Sequence, residues 1–245
     1  MLLMRFLLAA PLVAACDRSA TTTSAPVTTS APTTTEVSMH PALVQSIESY
    51  MPSLGQIPGE RRAALDRIAT FVRAQRAKSE PVKLTFICTG NSRRSHLGQL
   101  WAAAAASYHG IDGVETYSGG TEPSAMNPRT IAAIERVGFV VERPAQLGDN
   151  PRYRIRYADG VAPIEGFSKR YDDPVNPGGG FVAVMTCSEA DQECPFVPGA
   201  ALRIALPYED PKVADGTPEE TARYDERSRQ IATEMLYLFS RVAES

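Results

Sequence analysis

Residues 83–95 read KLTFICTGNSRRS, and they carry the clearest indication of the fold. Residues 83–88 form a short apolar run that is typical of a buried strand. Gly90 and Asn91 then break the strand, because glycine allows a positive φ and asparagine tolerates it. Residues 95–108 carry apolar side chains at helical spacing. The stretch therefore predicts a strand, a tight loop and a helix, which is the repeating unit of a parallel sheet.

The loop between this strand and helix has the pattern C-x5-R-S, from Cys88 to Ser95. At such a turn, successive backbone N–H groups and the positive end of the helix bind an anion together. Arg94 can hold two oxygens of a tetrahedral anion as a fork, and positive charge around Cys88 favours the reactive thiolate. We therefore predict Cys88 as the nucleophile, with a hydrogen bond from Ser95. Besides Arg94, the predicted oxyanion-binding residues are Thr89, Gly90, Asn91, Ser92, Arg93 and Ser95.

Strands and helices alternate along the rest of the chain. Short apolar strands are predicted at residues 114–117, 181–186 and 202–206. Helices are predicted at residues 41–51, 58–78 and 127–137, and a capping box at residues 217–220 predicts the start of the last helix. The alternation predicts an α/β domain with a parallel sheet and helices on both faces, preceded by a helical extension over residues 40–80.

Residues 150–180 interrupt this alternation. Residues 152–157 and 163–170 have the length of two short strands, and they flank Asp159-Gly160, a dipeptide that favours a hairpin turn. The stretch is rich in Tyr, Arg and Asp, which fits a border of the active site and fits a solvated surface insertion equally well.

The composition excludes several classes of protein. The 245-residue chain is 43% hydrophobic and 22% charged, an ordinary balance for a globular domain, and its net charge of −3 gives no sign of a nucleic-acid partner. Its three histidines are scattered, and no pair of its four cysteines has C-x2-C spacing, so we predict no metal site. The sequence also carries no motif of an organic cofactor.

The N-terminus has the pattern of an export signal. Arg5 precedes an apolar run over residues 6–15, which stops at Cys16. Residues 12–16 (LVAAC) resemble the bacterial lipoprotein signal, whose cysteine becomes the lipid-modified N-terminus; an ordinary secretory signal with a chance cysteine is the alternative. Residues 17–39 follow as a Ser/Thr/Pro-rich linker without apolar periodicity. We therefore expect an exported lipoprotein, anchored to a membrane on the periplasmic or cell-surface side.

The loop at residues 88–95 resembles the P-loop of the low-molecular-weight protein tyrosine phosphatases and of the related thioredoxin-coupled arsenate reductases. The resemblance covers residues 82–243. It implies a three-layer domain over residues 81–245, in which the loop joins the first strand and the first helix of a four-stranded parallel sheet. In this family the loop usually carries a cysteine where this chain has Arg93, so the resemblance implies that a second, protective thiol is absent here.

The resemblance also implies a general acid. The family has an Asp-Pro before the last helix, and this aspartate protonates the leaving group. Asp210, in Asp210-Pro211, matches that position because it lies between the strand predicted at residues 202–206 and the last helix. Asp173, which is also followed by proline, is the competing candidate.

Two further cysteines, Cys187 and Cys194, follow the strand predicted at residues 181–186. The arsenate reductases are similar here, with two cysteines seven residues apart, and the resemblance implies a relay. Cys187 would attack an arsenylated Cys88 and release arsenite, and Cys194 would then attack the resulting Cys88–Cys187 disulfide. An external reductant such as thioredoxin would reduce the final Cys187–Cys194 disulfide. The same pair also fits a static structural disulfide or two incidental thiols.

These observations leave three functions open. The first is arsenate reduction by the three-cysteine relay, which Cys187 and Cys194 favour. The second is hydrolysis of phosphomonoesters such as phosphotyrosine through a phospho-cysteine. The third is an oxyanion-binding lipoprotein without turnover, and the set of Cys88, Arg94 and Asp210 argues against it. The export signal argues against the first, because exported compartments are oxidising and do not assure a thioredoxin-type reductant.

Overall fold

The computed structural model describes residues 37–194 and 196–244. The predicted export signal, Cys16 and most of the predicted linker lie outside the described residues. The strands are β1 (Ser38–Met39), β2 (Val82–Cys88), β3 (Val114–Gly120), β4 (Val140–Glu142), β5 (Tyr153–Arg156), β6 (Ala158–Asp159), β7 (Ile164–Gly166), β8 (Phe181–Met185) and β9 (Ala200–Ala205). The α-helices are α1 (Pro41–Tyr50), α2 (Gly59–Arg76), α3 (Arg94–Tyr108), α4 (Pro128–Arg136), α5 (Ser188–Glu193) and α6 (Glu220–Ala243). Within the described part of the chain, none of these helices is long and apolar enough to span a bilayer.

Four strands form the central parallel sheet, in the order β3-β2-β8-β9. The inner strands β2 and β8 are buried along almost their whole length, with Lys83 the one residue of the two strands that is partly exposed. Such continuous apolar runs are typical of parallel strands that are covered on both faces. The predicted α/β fold with a four-stranded parallel sheet is confirmed.

The side chains of β8 divide the interior into two clusters, because successive side chains of a strand point to opposite faces. Val182 and Val184 join the large cluster, to which α1, α2, α3, α4 and α6 all contribute. Phe181 and Met185 join a smaller cluster together with Ala190 of α5. Helices thus cover both faces, as predicted, although one face carries a helix of only six residues.

The helical extension packs onto the large cluster. Its fully buried apolar side chains are Leu43, Ile47, Leu65, Ile68, Ala69 and Val72. α1 ends at Tyr50, one residue earlier than predicted, and a 3-10 helix follows over Met51–Gln56. Pro52 lies at the start of this segment and has no N–H with which to continue the α-helical ladder.

The last helix does not begin with the predicted capping box. α6 starts at Glu220, and its N-cap residue Glu219 makes no side-chain capping bond. The Thr217 hydroxyl instead donates to the carbonyl of Ala214 at 2.9 Å, in the 3-10 helix Pro211–Ala214 that precedes it. The Glu220 carboxylate accepts from the N–H of Gly216 at 2.7 Å. Thr217 Oγ1 also accepts from the N–H of Glu219 at 3.3 Å, so Thr217 caps the turn before α6 and the prediction started the helix too early.

Residues 150–180 contain the predicted hairpin. β5 and β7 pair antiparallel, with Tyr153 opposite Gly166. β4 extends the hairpin to a three-stranded sheet, and β6 pairs antiparallel with β1. The sequence does not predict β4, because three residues carry too little periodicity to be recognised.

Candidate active site

The predicted site residues meet at the carboxyl edge of the sheet, where parallel strands of this type place their ligands. Ile87 lies opposite Met185, so β2 ends at Cys88 next to the point where β8 leads to Cys187. The segment after β9 returns to the same edge. Its Leu206 and Tyr208 donate their N–H groups to the carbonyls of Met185 and Thr186, at 2.9 and 3.1 Å.

The backbone of the loop at residues 88–94 is oriented by a second segment, residues 121–127. N–H groups of Thr121, Glu122, Ser124 and Asn127 bind the carbonyls of Cys88, Thr89, Gly90 and Ser92, at 3.2, 2.9, 3.1 and 3.0 Å. Within the described part of the chain, no N–H of residues 89–93 donates a hydrogen bond. The loop carbonyls are therefore hydrogen-bonded to residues 121–127, while the loop N–H groups stay available to an anion, as in other backbone nests.

The loop's left-handed residue is Asn91, whose φ is 41°. Gly90, for which we expected a positive φ, does not have one. The Asn91 side chain supports this conformation through both ends, since its Nδ2 donates to Ser95 Oγ at 2.8 Å and its Oδ1 accepts from the N–H of Lys169 at 2.9 Å. Gly120 allows the close approach of the loop, because a Cβ there would lie 2.4 Å from the Thr89 carbonyl oxygen.

The Cys88 sulfur lies 3.1 Å from Ser95 Oγ. Because that oxygen already accepts a hydrogen bond from Asn91, the Ser95 hydroxyl proton is free to be donated to the sulfur. Cys88 is only 3% exposed and contacts the smaller apolar cluster, yet it also lines the floor of the cleft above the loop. The contact predicted between Ser95 and the sulfur is therefore present.

Arg94 is 8% exposed and bonds to the segment after β9. Its Nη1 donates to the carbonyl of Tyr208 at 3.0 Å, and its Nη2 donates to Asp210 Oδ2 at 2.8 Å. Its Nε has no hydrogen-bond partner among the described residues, although it is buried. Asp210 also accepts a hydrogen bond from the N–H of Lys212, which fixes its carboxylate at the start of a 3-10 helix.

Cys88, Arg94 and Asp210 line one cleft of about 340 Å³. The other lining residues are Thr89, Gly90, Ser92, Arg93, Ser124, Glu189 and Lys212. The cleft is therefore small and polar, and no aromatic side chain of the described residues lines it. Asn91 and Ser95, which we predicted to bind the oxyanion, are fully buried behind this surface. Across the described residues, no cluster of His, Cys, Asp and Glu could hold a metal ion.

Arg93 points its charge toward a network at the start of α6. Its Nε donates to Tyr224 Oη at 2.9 Å, and Tyr224 in turn donates to Asp215 Oδ1 at 2.9 Å. Burial, the largest cause, raises the pKa of Tyr224 to about 12, so this hydroxyl stays protonated at neutral pH. Arg93 Nε also lies 3.8 Å from Asp210 Oδ1, so Asp210 has an arginine on each carboxylate oxygen.

Cys187 and Cys194 lie at the two ends of α5, as its N-cap and C-cap residues. The Cys187 thiol is free and fully buried, 3.6 Å from Thr89 Oγ1 in the loop. It also accepts a hydrogen bond from the N–H of Ala190 at 3.4 Å. Burial raises the pKa of this thiol above its ordinary value. Because Cys187 is free, the static Cys187–Cys194 disulfide that we considered is not formed.

Residues 150–180 bind the loop at residues 88–94 on the side that faces away from the cleft. Ser168 Oγ donates to the carbonyl of Gly90 at 2.9 Å, and the N–H of Gly120 donates to the carbonyl of Lys169 at 2.9 Å. The stretch thus borders the candidate site rather than forming a separate surface insertion. Asp173, the competing acid, is not among the residues that line the cleft, and its carboxylate accepts from the N–H of Val175 at 3.0 Å.

The family profile of the low molecular weight phosphotyrosine protein phosphatases matches residues 83–155, which include the whole loop. The arsenate reductase of Bacillus licheniformis is 25% identical over 162 residues, which are 65% of this chain and 95% of that protein. Over these residues the chain is similar to the low-molecular-weight phosphotyrosine protein phosphatases. These similarities support a cysteine-dependent enzyme, either an arsenate reductase or a phosphatase.

Two further similarities extend over more than half of the chain. The arsenate reductase of Bacillus subtilis is 28% identical to this chain over 145 residues, 59% of this chain and 84% of that protein. The structure of a low molecular weight protein tyrosine phosphatase from T. tengcongensis superposes with a TM-score of 0.45 and 15% identity, over 65% of this chain and 98% of that one.

Three residues that line the cleft were not predicted from the sequence: Ser124, Glu189 and Lys212. Two of them had a local signal, since Glu189 follows Cys187 by two residues and Lys212 follows Asp210 by two residues. Ser124 had none, because its position depends on hydrogen bonds between residues 121–127 and the loop.

Proposed function

We propose that the chain reduces arsenate to arsenite through Cys88, Cys187 and Cys194. The observation that carries this proposal is the free Cys187 thiol, 3.6 Å from the hydroxyl of Thr89, the residue next to the nucleophile. A phosphatase needs no second thiol there, whereas a reductase needs one that can reach the sulfur of Cys88. The similarity to arsenate reductases from two Bacillus species supports the same choice.

The character of the cleft supports a small inorganic substrate. An aromatic ring gains binding energy from apolar or aromatic walls, and sites for such ligands are lined mainly by such side chains. The residues around Cys88 are polar or glycine. The lining holds the cations Arg93, Arg94 and Lys212 beside the carboxylates Glu189 and Asp210, and the cations can bind the oxygens of a small oxyanion. Arsenate fits this lining better than a phosphotyrosine side chain does.

In the first step, the Cys88 thiolate attacks the arsenic atom of arsenate. The loop N–H groups and Arg94 bind the remaining oxygens, and their bonds strengthen as negative charge develops on those oxygens. Asp210 gives a proton to the oxygen that leaves, so that it departs as water. The product is an arsenylated Cys88, in which arsenic is still in the +5 state.

In the second step, Cys187 loses its proton and its sulfur attacks the sulfur of Cys88. A Cys88–Cys187 disulfide forms, the sulfur–arsenic bond breaks, and arsenic leaves with the bonding electron pair as arsenite. Cys194 then attacks the Cys187 sulfur, which releases Cys88 as a thiolate. A dithiol reductant such as thioredoxin finally reduces the Cys187–Cys194 disulfide by thiol–disulfide exchange.

Attack by the third thiol, that of Cys194, on Cys187 requires α5 to unwind. Seven helical residues span about 10.5 Å, whereas a disulfide brings two Cα atoms within about 7 Å. α5 separates Cys187 from Cys194, so the Cys187–Cys194 disulfide and an intact α5 exclude each other. We therefore expect oxidation to lower the helix content of this segment.

Purified full-length protein tests the proposal when it is supplied with arsenate, thioredoxin, thioredoxin reductase and NADPH. We expect NADPH consumption that depends on arsenate and matches the arsenite formed. Hydrolysis of p-nitrophenyl phosphate without any arsenate-dependent NADPH consumption would contradict reduction. That result would favour the second candidate, phosphomonoester hydrolysis, which the match of residues 83–155 to the phosphatase family profile supports.

We also propose, from residues 1–39 alone, that the enzyme is exported and anchored through a lipid on Cys16. Radiolabelled palmitate should be incorporated into the wild-type chain and not into Cys16→Ser. The variant should also leave the membrane fraction. Equal labelling of both chains would contradict the lipid anchor. If the anchor is present, the reductant must be a thioredoxin-like protein outside the cytoplasm.

A further inference from the structure

Arg61 of α2 precedes the family match, which begins at residue 83, yet its side chain reaches the segment that carries Asp210. Arg61 Nη1 donates to the carbonyl of Pro207 at 3.0 Å. The same guanidinium lies 4.8 Å from the centroid of the Tyr208 ring, within the range of a cation–π contact. The helical extension therefore contacts the chain two and three residues before the proposed acid.

Glu234 of α6 completes this contact. It accepts two hydrogen bonds from Arg61, from Nε at 2.6 Å and from Nη2 at 2.8 Å. It also accepts from the Tyr208 hydroxyl at 2.7 Å. The side chains of Arg61 and Glu234 are only 16% and 3% exposed. Three side chains from three parts of the chain thus form one closed, buried network around the Tyr208 ring.

The other side of Tyr208 faces the candidate site. Its carbonyl accepts from Arg94 Nη1 at 3.0 Å, and Arg94 Nη2 binds Asp210 at 2.8 Å. Tyr208 is therefore held by its ring on the side of Arg61 and by its carbonyl on the side of Arg94. A shift of the ring would move the carbonyl that orients the Arg94 fork, and it would move Asp210 two residues further on.

We propose that the Arg61–Glu234 pair is a positioning device for catalysis. It fixes residues 207–210, and through them it sets the position of Asp210. The helical extension thereby contributes to turnover without any contact with the substrate. This inference rests on the proposed role of Asp210 as the acid, so its test measures coupling to Asp210 directly.

The test variant removes both charges at once. Removing one partner alone would leave a buried, unpaired charge, which is strongly destabilising, whereas replacing a buried ion pair by apolar residues is often neutral. The double variant Arg61→Met/Glu234→Met is therefore the informative one. Arg73→Met is the matched control, because Arg73 also joins α2 to α6, by a hydrogen bond of 2.7 Å to the Arg241 carbonyl, and does not contact residues 207–210.

Turnover is measured for both variants in the full-length chain, and for the double variant again in an Asp210→Asn background. A misplacement of about 1 Å can cost up to 100-fold, so we expect kcat of the double variant to fall about 10-fold, with a smaller change in KM. Arg73→Met should keep the wild-type kcat. In the Asp210→Asn background the double substitution should cost less than about twofold, because residues that act through one another are not additive.

A full 10-fold loss in both backgrounds would overturn the proposal, since the pair would then act independently of Asp210. An unchanged kcat in the double variant would overturn it as well. If the double variant fails to fold, Arg61→Lys replaces it, because lysine keeps the charge beside Glu234 but loses the fork. The same cycle is run with p-nitrophenyl phosphate if the wild-type chain does not reduce arsenate, so that a failure of the proposed function is distinguished from a failure of this inference.

Discussion

Arg94 and Asp210 are joined by a hydrogen bond of 2.8 Å between Nη2 and Oδ2. The side chain proposed to bind the oxyanion therefore also binds the side chain proposed to supply the proton. When Arg94 binds two substrate oxygens, the proposed acid Asp210 is hydrogen-bonded to the same guanidinium. This pairing makes the geometry of the arginine fork as important as its charge.

Arg94→Lys should lower kcat/KM by about 100-fold or more, because a point charge replaces a planar fork with several donors. The loss should appear with arsenate and with p-nitrophenyl phosphate alike. Steady-state kinetics on both substrates measure it. Lys83→Arg, on β2 and away from the cleft, serves as a control for arginine–lysine exchange in general, and it should keep wild-type kinetics.

Cys194→Ser should stop multiple turnover of arsenate while allowing one turnover, since Cys88 and Cys187 suffice to release one arsenite. Quench-flow measurement of arsenite per enzyme distinguishes one turnover from many. Cys187→Ser should release no arsenite. Both variants should keep the hydrolysis of p-nitrophenyl phosphate, because that reaction uses only Cys88. Continuous arsenate turnover by Cys194→Ser with thioredoxin would contradict the relay.

Stability should fall with acid because of His96. Burial, together with the nearby charge of Lys169, lowers the pKa of His96 to about 3 from an ordinary 6.5. Between these two values the unfolded chain binds a proton that the folded chain does not. Folding stability attributable to His96 is therefore complete above pH 6.5, and it is lost at about 1.4 kcal/mol per pH unit as the pH falls toward 3.

Urea unfolding at pH 7 and pH 4.5 measures this slope. His96→Gln should reduce the difference between the two values, because glutamine has no proton to gain. Lys169→Met should also reduce it, since removal of the charge raises the pKa of His96. An identical pH dependence in wild type and His96→Gln would show that other groups dominate the acid limb.

Gly120→Ala should lower the affinity for an oxyanion more than it lowers the stability of the fold. A Cβ at this position would lie 2.4 Å from the Thr89 carbonyl oxygen and 2.8 Å from the Asn91 nitrogen, both backbone atoms of the loop. We expect a loss of about 1–3 kcal/mol in stability from overpacking, and a larger relative loss of phosphate affinity by calorimetry. Gly148→Ala, where nothing lies within 4 Å of the added Cβ, is the control.

The sequence was sufficient for the sheet and the loop, because their signals are local. The apolar runs of β2 and β8 and the turn at residues 90–91 each carry their own pattern. Contacts between distant residues carry no such pattern: Arg61 and Glu234 are 173 positions apart. The role of Asn91 was also missed, because its side chain turns back to Ser95 and Lys169 instead of toward the cleft.

Ser168 and Lys169 bind the back of the loop from about eighty positions further along the chain, through the Gly90 carbonyl and the Asn91 side chain. The anion-binding conformation of the loop therefore depends on residues far along the chain. A peptide with the sequence of residues 83–95, or the same stretch grafted onto a strand and helix of another protein, would lack these hydrogen bonds. To build the same anion site in another protein, the segment that carries Ser168 and Lys169 would have to be grafted together with the loop.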